Sequence, residues 1–205
     1  IGLISTDGKF KRISINEISY ISNRSTTILK LKDSVKLKSC ILCKENSYLY
    51  IVSDIGRIIK IKITENDFPF MGKLAQGTNI IKLFPNENIV EALSFQEKKN
   101  KDLILITNKG SFIKHSTKEI TISKKGALGT IGINFKDKKT IKERVIDCFI
   151  NNQHVYIRTD KDRYQKLKTD QIDNSSYKKA NKLNIELNNN EFLKSTFSMK
   201  LPEKD

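Results

Sequence analysis

The stretch that decides the fold is "LILITNKGSFIKHSTKEI", residues Leu103 to Ile120. An apolar run, a short polar turn and a second apolar run predict two antiparallel strands joined by a tight hairpin. The same order occurs three more times, as "LISTDGKFKR" from Leu3, "YIVSDIGRIIK" from Tyr50 and "VYIRTDKDRYQK" from Val155. The chain is therefore predicted to use one β-hairpin unit four times.

Equivalent positions of the four hairpins carry equivalent residues. The turn position is expected to need a positive φ, which glycine adopts freely and aspartate tolerates. Two residues later the hairpins carry an apolar or aromatic side chain, and two further on they carry a cation. These three sets are Gly8, Gly56, Gly110 and Asp162; Phe10, Ile58, Phe112 and Tyr164; and Arg12, Lys60, Lys114 and Lys166.

A later apolar segment repeats with the same period. It reads "ILKL", "IIKL", "GINF" and "LNIEL", and its last residues, Leu31, Leu83, Phe135 and Leu187, recur every 52 residues. The predicted units are approximately 1–46, 47–100, 101–152 and 153–205. Each is expected to hold the hairpin, a polar linker, this third strand and a fourth strand such as "NIVEALSF" or "RVIDCFI". The fold class predicted is all-β: a propeller-like array of about four antiparallel four-stranded blades, which form a single domain, or part of one, over 1–205.

Other classes fit the sequence less well. A helical repeat is disfavoured because β-branched and aromatic residues dominate the apolar runs, and a WD-type propeller because the chain has no tryptophan. No apolar run reaches membrane-spanning length and no secretory signal precedes the first strand, so a cytoplasmic protein is expected. Because the chain begins at Ile1, we expect a piece of a longer protein.

Metal or redox chemistry is not expected. Cys40 and Cys43 form a C-x-x-C pair, but no second pair completes a zinc site. The surrounding "KSCILCK" is typical of a strand, which would place the two thiols on opposite faces. His115 and His154 have no cysteine or carboxylate at ligand spacing. No cofactor, metal or catalytic residue is predicted for this part of the protein.

The net charge of +15 is unevenly placed along the chain. A composition rich in Lys, Asn and Ile is also typical of an AT-rich genome, but the recurrence of cations at equivalent positions indicates a belt along one edge of the blades. Such a belt suits phosphate contacts, with binding that is sequence-independent and salt-sensitive. The DNA-binding candidates are Arg24, Lys73, Lys124, Lys125, Lys178 and Lys179 in the linkers, then Arg12, Lys60, Lys114 and Lys166 in the hairpins.

Two longer stretches resemble a known family. They are "GRIIKIKITENDFPFMGKLAQGTNIIKLFPNENIVEAL", Gly56 to Leu93, and "TNKGSFIKHSTKEI…GALGTIGINFKDKKTI", Thr107 to Ile141. The first is similar to the blade pattern G-R, then G-[RK]-x-A-x-G, then I-x-x-L, of the C-terminal β-pinwheel of the A subunit of bacterial DNA gyrase and topoisomerase IV. The fourth unit departs most, since Asp162 replaces the turn glycine.

This resemblance implies blades that exchange strands and duplex DNA that bends around a basic outer edge. It also implies partners, namely the DNA-cleaving domain of the same subunit and an ATPase B subunit in an A2B2 complex. The catalytic tyrosine, ATP and Mg²⁺ belong to those parts, so none of the six tyrosines here is expected to cleave DNA. The setting implied is a bacterial or organellar nucleoid.

One departure from the family bears on the mechanism. Gyrase proper carries a Q-[RK]-R-G-G-[RK]-G box in its first blade, whereas the matching linker here reads "YISNRSTTIL" and the nearest partial echo is "SKKGALG", Ser123 to Gly129. The domain therefore resembles that of topoisomerase IV, or of a gyrase-like subunit with weakened wrapping, more than that of gyrase proper. Two alternatives remain: a propeller scaffold that binds acidic proteins, and a propeller enzyme, for which no convergent set of acids is present.

Overall fold

The computed structural model describes residues 1–19, 25–97, 101–135, 143–151, 154–167, 181–182 and 186–199. Within these ranges the first unit forms β1 (Gly2–Ser5), β2 (Lys9–Arg12), α1 (Asn16–Ser19) and β3 (Leu37–Ile41). The second forms β4 (Tyr48–Ser53), β5 (Arg57–Lys62), β6 (Thr78–Asn79) and β7 (Ile89–Phe95). The third forms β8 (Asp102–Thr107), β9 (Ser111–Ser116), β10 (Thr130–Ile131) and β11 (Val145–Ile150). The fourth forms β12 (His154–Thr159), β13 (Tyr164–Leu167), β14 (Asn181–Lys182) and β15 (Leu193–Met199).

The four hairpins form as predicted, with the expected backbone at the turn. The φ angles are 83° at Gly8, 82° at Gly56, 76° at Gly110 and 59° at Asp162. The hydroxyl residue before each turn closes it: the amide of Arg57 donates to Oγ of Ser53 at 3.2 Å. Equivalent bonds close the other three hairpins, which explains the serine or threonine that recurs in the repeat.

Each sheet is a blade, and the blades exchange strands. The strand orders are β3-β1-β2-β6, β10-β5-β4-β7, β11-β8-β9-β14 and β13-β12-β15. Strands β6, β10 and β14 each come from the unit that follows the blade they complete. All the strand pairs are antiparallel, and the predicted all-β pinwheel architecture is confirmed.

The predicted third strands need a correction. The paired strands β6, β10 and β14 are only two residues long and lie just before "IIKL", "GINF" and "LNIEL", and "ILKL", residues 28–31 of the first unit, forms no strand. Ile80 instead crosses the hairpin turn of blade 1, where its amide donates to the carbonyl of Gly8 at 3.0 Å. Ile80 and Ile81 are buried between blades. Their apolar character therefore reflects packing between blades rather than a ladder position.

The core lies between the blades. One buried cluster joins blade 1 to blade 2 through Phe10, Leu49 and Ile80, and a second joins blade 2 to blade 3 through Tyr50, Ile58 and Leu105. A third cluster includes Phe112, Phe149 and Ile157 and joins blade 3 to blade 4. Each unit thus buries its apolar faces against the units on either side, which is why a single hairpin unit could not fold alone.

Candidate nucleic-acid interface

The linkers that lead to the exchanged strands cross the outside of the molecule. Strands β3, β7, β11 and β15 pack against one another in that order and form the inner side of the array. The exchanged strands β6, β10 and β14 lie at the opposite end of each sheet. Linkers 63–77 and 117–129 therefore run from one blade to the outer edge of the blade before it. We call the surface of these two linkers the perimeter surface.

Glycine allows each linker to close on the preceding blade. Gly77 and Gly129 have φ angles of 89° and 77°. A methyl group on Gly77 would lie 2.7 Å from the carbonyl oxygen of Phe10, and one on Gly129 would lie 2.5 Å from that of Ile58. Phe10 and Ile58 hold the same hairpin position. The last glycine of "GKLAQG" and of "GALG" is thus required by close backbone approach.

The perimeter surface carries the predicted linker lysines that the structure describes. Lys73 is half-buried, whereas Lys124 and Lys125 are exposed. Lys73 and Lys125 are equivalent, because each precedes the close-approach glycine by four residues. Nζ of Lys125 donates to the carbonyl oxygen of Asp67 at 3.0 Å and lies 3.6 Å from its carboxylate. The two linkers therefore touch, and the perimeter surface is continuous from one blade to the next.

Arg12, one of the four cations at equivalent positions of the hairpins, has a different position from the one predicted. Its side chain is buried, and Nη1 donates to the carbonyl oxygen of Phe68 at 2.7 Å. The guanidinium also pairs with Glu45 and Glu65, each at 3.3 Å. These contacts fasten the linker of the second unit to blade 1, so Arg12 is not available to a phosphate.

Lys60 repeats this arrangement one blade later. It is buried, and Nζ donates to the carbonyl oxygen of Thr117 at 2.7 Å and pairs with Glu97 at 3.0 Å. Nζ also lies 4.6 Å from the centroid of the Tyr48 ring. Strand alternation places Arg12 on the same face as Phe10, and Lys60 on the same face as Ile58. In both blades the following linker covers that face. These hairpin cations therefore hold linkers in place at blades 1 and 2.

The remaining candidates are scattered. Lys114 is 16% exposed and pairs with Asp102 at 3.2 Å, and Lys166 is exposed on β13. Arg24, Lys178 and Lys179 lie outside the described residues. Of the seven predicted contacts that lie in the described ranges, the structure brings together Lys73, Lys124 and Lys125 on one surface.

Arg57, Arg163 and Lys11 are cations outside the predicted set that the structure engages in contacts between segments. Nε of Arg57 donates to Glu87 at 2.8 Å and Nη2 donates to the carbonyl oxygen of Lys82 at 2.8 Å. Arg163 makes the equivalent contact with Glu191 at 2.8 Å. The signal in the sequence is an arginine directly after the turn residue, with a glutamate about 30 residues later in the loop before the inner strand.

The arginine partners lower the pKa values of both carboxylates. Burial alone would raise the pKa of Glu87, but hydrogen bonds from Arg57 and from the amide of Phe84 hold it below its usual value. The hydrogen bond from Arg163 lowers the pKa of Glu191 to about 2. The third such cation, Lys11, donates to the carbonyl oxygens of Ile28 at 2.6 Å and Lys73 at 2.7 Å, and burial lowers its pKa.

Other titratable groups do not converge on a reactive centre. Burial raises the pKa of Asp147 to about 6, and this side chain accepts a hydrogen bond from Thr196 of the neighbouring blade. Burial lowers the pKa of His115, whose ring bonds the carbonyl oxygen of Gly132 at 2.9 Å. Cys40 is exposed in β3 and Cys43 lies beyond it, both as free thiols. Within the described ranges, no group of three His, Cys, Asp or Glu side chains could hold a metal ion.

Comparison with known families decides what kind of domain this is. Residues 3–44, 47–95 and 101–152, more than half of the chain, match the family model described as "DNA gyrase C-terminal domain, beta-propeller". The chain belongs to this gyrase C-terminal domain family. The family match includes both linkers of the perimeter surface and the first three predicted units.

Solved structures with the same fold are distant in sequence. The C-terminal domain of DNA topoisomerase IV superposes with a TM-score of 0.85 at 16% identity, over 97% of this chain and 61% of that one. The DNA gyrase A C-terminal domain gives 0.79 at 18% identity, over 97% and 65%. The E. coli ParC C-terminal domain gives 0.69 at 14% identity, over 98% and 81%. The chain thus spans less than two thirds of the first two.

No curated protein sequence matches the chain. None of the helices in the described part of this gyrase C-terminal family member is long and apolar enough to cross a membrane.

Proposed function

We propose that this domain binds duplex DNA along the perimeter surface, without sequence-specific hydrogen bonds to the bases, and bends it. The observation that carries the proposal is the repetition of Lys73 and Lys125 at equivalent positions of two touching linkers. Successive blades would present these cations along an arc. A duplex that follows the arc exchanges its condensed counterions for lysine side chains, which favours binding at low salt.

The proposed contacts differ from a general surface charge. Arg12 and Lys60 are engaged within the protein, so the exposed positive charge of the perimeter surface comes from Lys118, Lys124, Lys125 and part of Lys73, set against the exposed acids Glu65, Asp67 and Glu119. Lysine presents a compact charge rather than the planar fork that reads guanine, which favours phosphate contacts over base readout. Membership of the gyrase C-terminal family supports the same assignment.

The domain is proposed to do no chemistry itself. It would present bent DNA to the cleavage domain of the same topoisomerase A subunit, in an A2B2 complex with an ATPase B subunit that uses ATP and Mg²⁺. The proposed location is the nucleoid in the cytoplasm of a bacterium, or the equivalent compartment of an organelle. The third unit, which supplies Lys124 and Lys125 to the perimeter surface, would contribute most of the affinity.

The absence of the gyrase box from the sequence leads us to propose moderate bending, as in topoisomerase IV, rather than a tight wrap. The domain should then bind relaxed circular DNA with little change in linking number after nicking and religation. A large positive or negative shift in linking number would instead assign it to the strongly wrapping gyrase type.

The test of DNA contact is a charge reversal on the perimeter surface. The variant Lys124→Glu/Lys125→Glu should bind a 40-base-pair duplex (about four helical turns) more weakly than the wild type. The slope of log affinity against log salt should fall by about one per phosphate contact removed. Fluorescence anisotropy over a salt series measures both quantities.

A matched control separates a site from general charge. Lys36, just before the inner strand β3, and Lys194, in the inner strand β15, are exposed, so Lys36→Glu/Lys194→Glu changes the net charge equally away from the perimeter surface. This control should keep the wild-type salt slope. Equal slopes for all three proteins would contradict the proposed site.

A scaffold for acidic proteins is the second candidate function. The exposed lysines favour it because they suit an acidic protein as well as they suit DNA. The two are separated by competition. If an acidic protein binds at moderate salt while duplex DNA and heparin do not, the scaffold function is correct.

A further inference from the structure

Two apolar side chains stand on the perimeter surface at equivalent positions. Phe70 and Ile122 are each 54% exposed. Phe70 forms a parallel backbone bridge with Arg12 of blade 1, and Ile122 forms the same bridge with Lys60 of blade 2. The repetition shows that this is a feature of the linker rather than one stray surface residue, because single exposed apolar residues need no explanation but repeated ones do.

The backbone around both residues is held firmly. The amide of Met71, next to Phe70, donates to the carbonyl oxygen of Arg12 at 2.8 Å, and the amide of Ser123, next to Ile122, donates to that of Lys60 at 2.7 Å. The Phe70 ring also lies over the Arg12 guanidinium, 4.3 Å from its carbon to the ring centroid. The buried cations therefore support a rigid apolar position on the outside of each linker.

Each apolar residue is followed three positions later by a lysine of the proposed DNA contact. Phe70 precedes Lys73 and Ile122 precedes Lys125 by the same spacing. Further apolar side chains are exposed nearby, with Leu74 at 67% and Ile131 at 66%. If the lysines hold the phosphates of a duplex, a groove of the duplex rather than its phosphates would lie over Phe70 and Ile122. Phosphate contact alone gives no role to apolar groups at these positions.

We propose that Phe70 and Ile122 act as wedges that enter the minor groove of the bound duplex and partly unstack base steps where it bends. The inference rests on the proposed DNA-binding function and adds a preference to it. Pyrimidine–purine steps such as TA and CA unstack most easily, whereas A-tracts are stiff. The domain should therefore select flexible sequences although its lysines read no bases.

The test uses two duplexes of equal length and base composition. One carries TA and CA steps about one helical turn apart, and the other carries A-tracts. At one salt concentration, the wild type should bind the flexible duplex about 5- to 10-fold more tightly and bend it more, measured by anisotropy and by end-to-end energy transfer. The variant Phe70→Ser/Ile122→Ser should lose most of this preference, to about twofold or less, and should keep the wild-type salt slope because its lysines remain.

The control is Leu37→Ser/Leu42→Ser, which removes two exposed apolar side chains, one at the start of the inner strand β3 and one just after its end. It should keep the preference, and an unchanged urea midpoint verifies that each variant is folded. Salt-dependent binding with no preference between the duplexes would overturn the wedge inference alone, and so would a preference that survives in Phe70→Ser/Ile122→Ser. Failure of the wild type to bind either duplex would overturn the proposed function itself.

Discussion

At the scale of the residue, Gly129 decides how closely a linker can approach the preceding blade. An alanine there would adopt a left-handed φ of 77° and place its methyl group 2.5 Å from the carbonyl oxygen of Ile58. Gly129→Ala should lower the free energy of unfolding by about 2 to 4 kcal/mol, from backbone strain together with the displaced linker. Urea denaturation measures the loss.

Gly72 provides the control for this prediction. It lies in the same kind of linker, but a methyl group on it would meet no atom within 4 Å. Gly72→Ala should change the free energy of unfolding by less than about 0.5 kcal/mol. A similar, large loss in both variants would show that linker glycines matter for flexibility rather than for close approach.

Prediction from single residues succeeded where the requirement was local. The positive φ of Gly110 and Asp162 follows from the hairpin turn alone. The burial of Arg12 does not, because it depends on Phe68 and Glu65, which lie more than 50 residues later in the chain. A cation at the end of a strand has the same local pattern whether a linker covers it or not.

At the scale of the element, one arginine ties four segments together. Arg57, at the start of β5, contacts Glu87 in the loop before β7, and its side chain is only 7% exposed to solvent. Nη2 reaches the carbonyl oxygen of Lys82 and Nη1 that of Leu128 in the next linker. The pair therefore joins the hairpin, the segment that follows β6, the loop before the inner strand β7 and the linker that leads to the exchanged strand β10.

Removal of this arginine should be costly because Glu87 is buried at 1% side-chain exposure. We expect Arg57→Met to lower the free energy of unfolding by about 3 to 5 kcal/mol, since it leaves a buried carboxylate without its partner. The double variant Arg57→Met/Glu87→Leu should recover much of that loss. Thermal or urea unfolding of the wild type, both single variants and the double variant measures the coupling.

Arg163 supplies the matched comparison, since it pairs in the same way with Glu191, whose side chain is equally buried at 0% exposure, but is itself 46% exposed, so that water can reach the carboxylate when the arginine is removed. Water can partly replace its contacts, so Arg163→Met should cost less than Arg57→Met. Equal losses would mean that solvent exposure of the arginine does not govern the strength of this pair.

At the scale of the whole molecule, stability is shared between neighbouring blades. Ile80 belongs to the second unit, but it packs in the cluster that joins blade 1 to blade 2. Strands of the third and fourth blades pack in other clusters. A molecule built this way is expected to lose structure locally when one joint between blades is weakened.

Ile80→Ala should therefore act on one part of the array. Loss of a fully buried isoleucine should cost about 2 to 5 kcal/mol. Hydrogen exchange should show lost protection in β1, β2 and β4, with β12 and β15 close to the wild type. An equal loss of protection in all four blades would instead identify a single cooperative unit.

The sequence by itself determined the four hairpins, their turn geometry, the all-β class and the resemblance to gyrase C-terminal domains, because these depend on residues close together in the chain and on their repetition. Only the tertiary structure decided which strands complete which blade and which cations face the solvent. Lys60 and Lys125 look alike in the sequence, yet Lys60 is buried beneath linker 117–129 of the next unit, whereas Lys125 is an exposed residue of that same linker. Burial is a property of the segments that meet in space, and in this fold those segments come from different units.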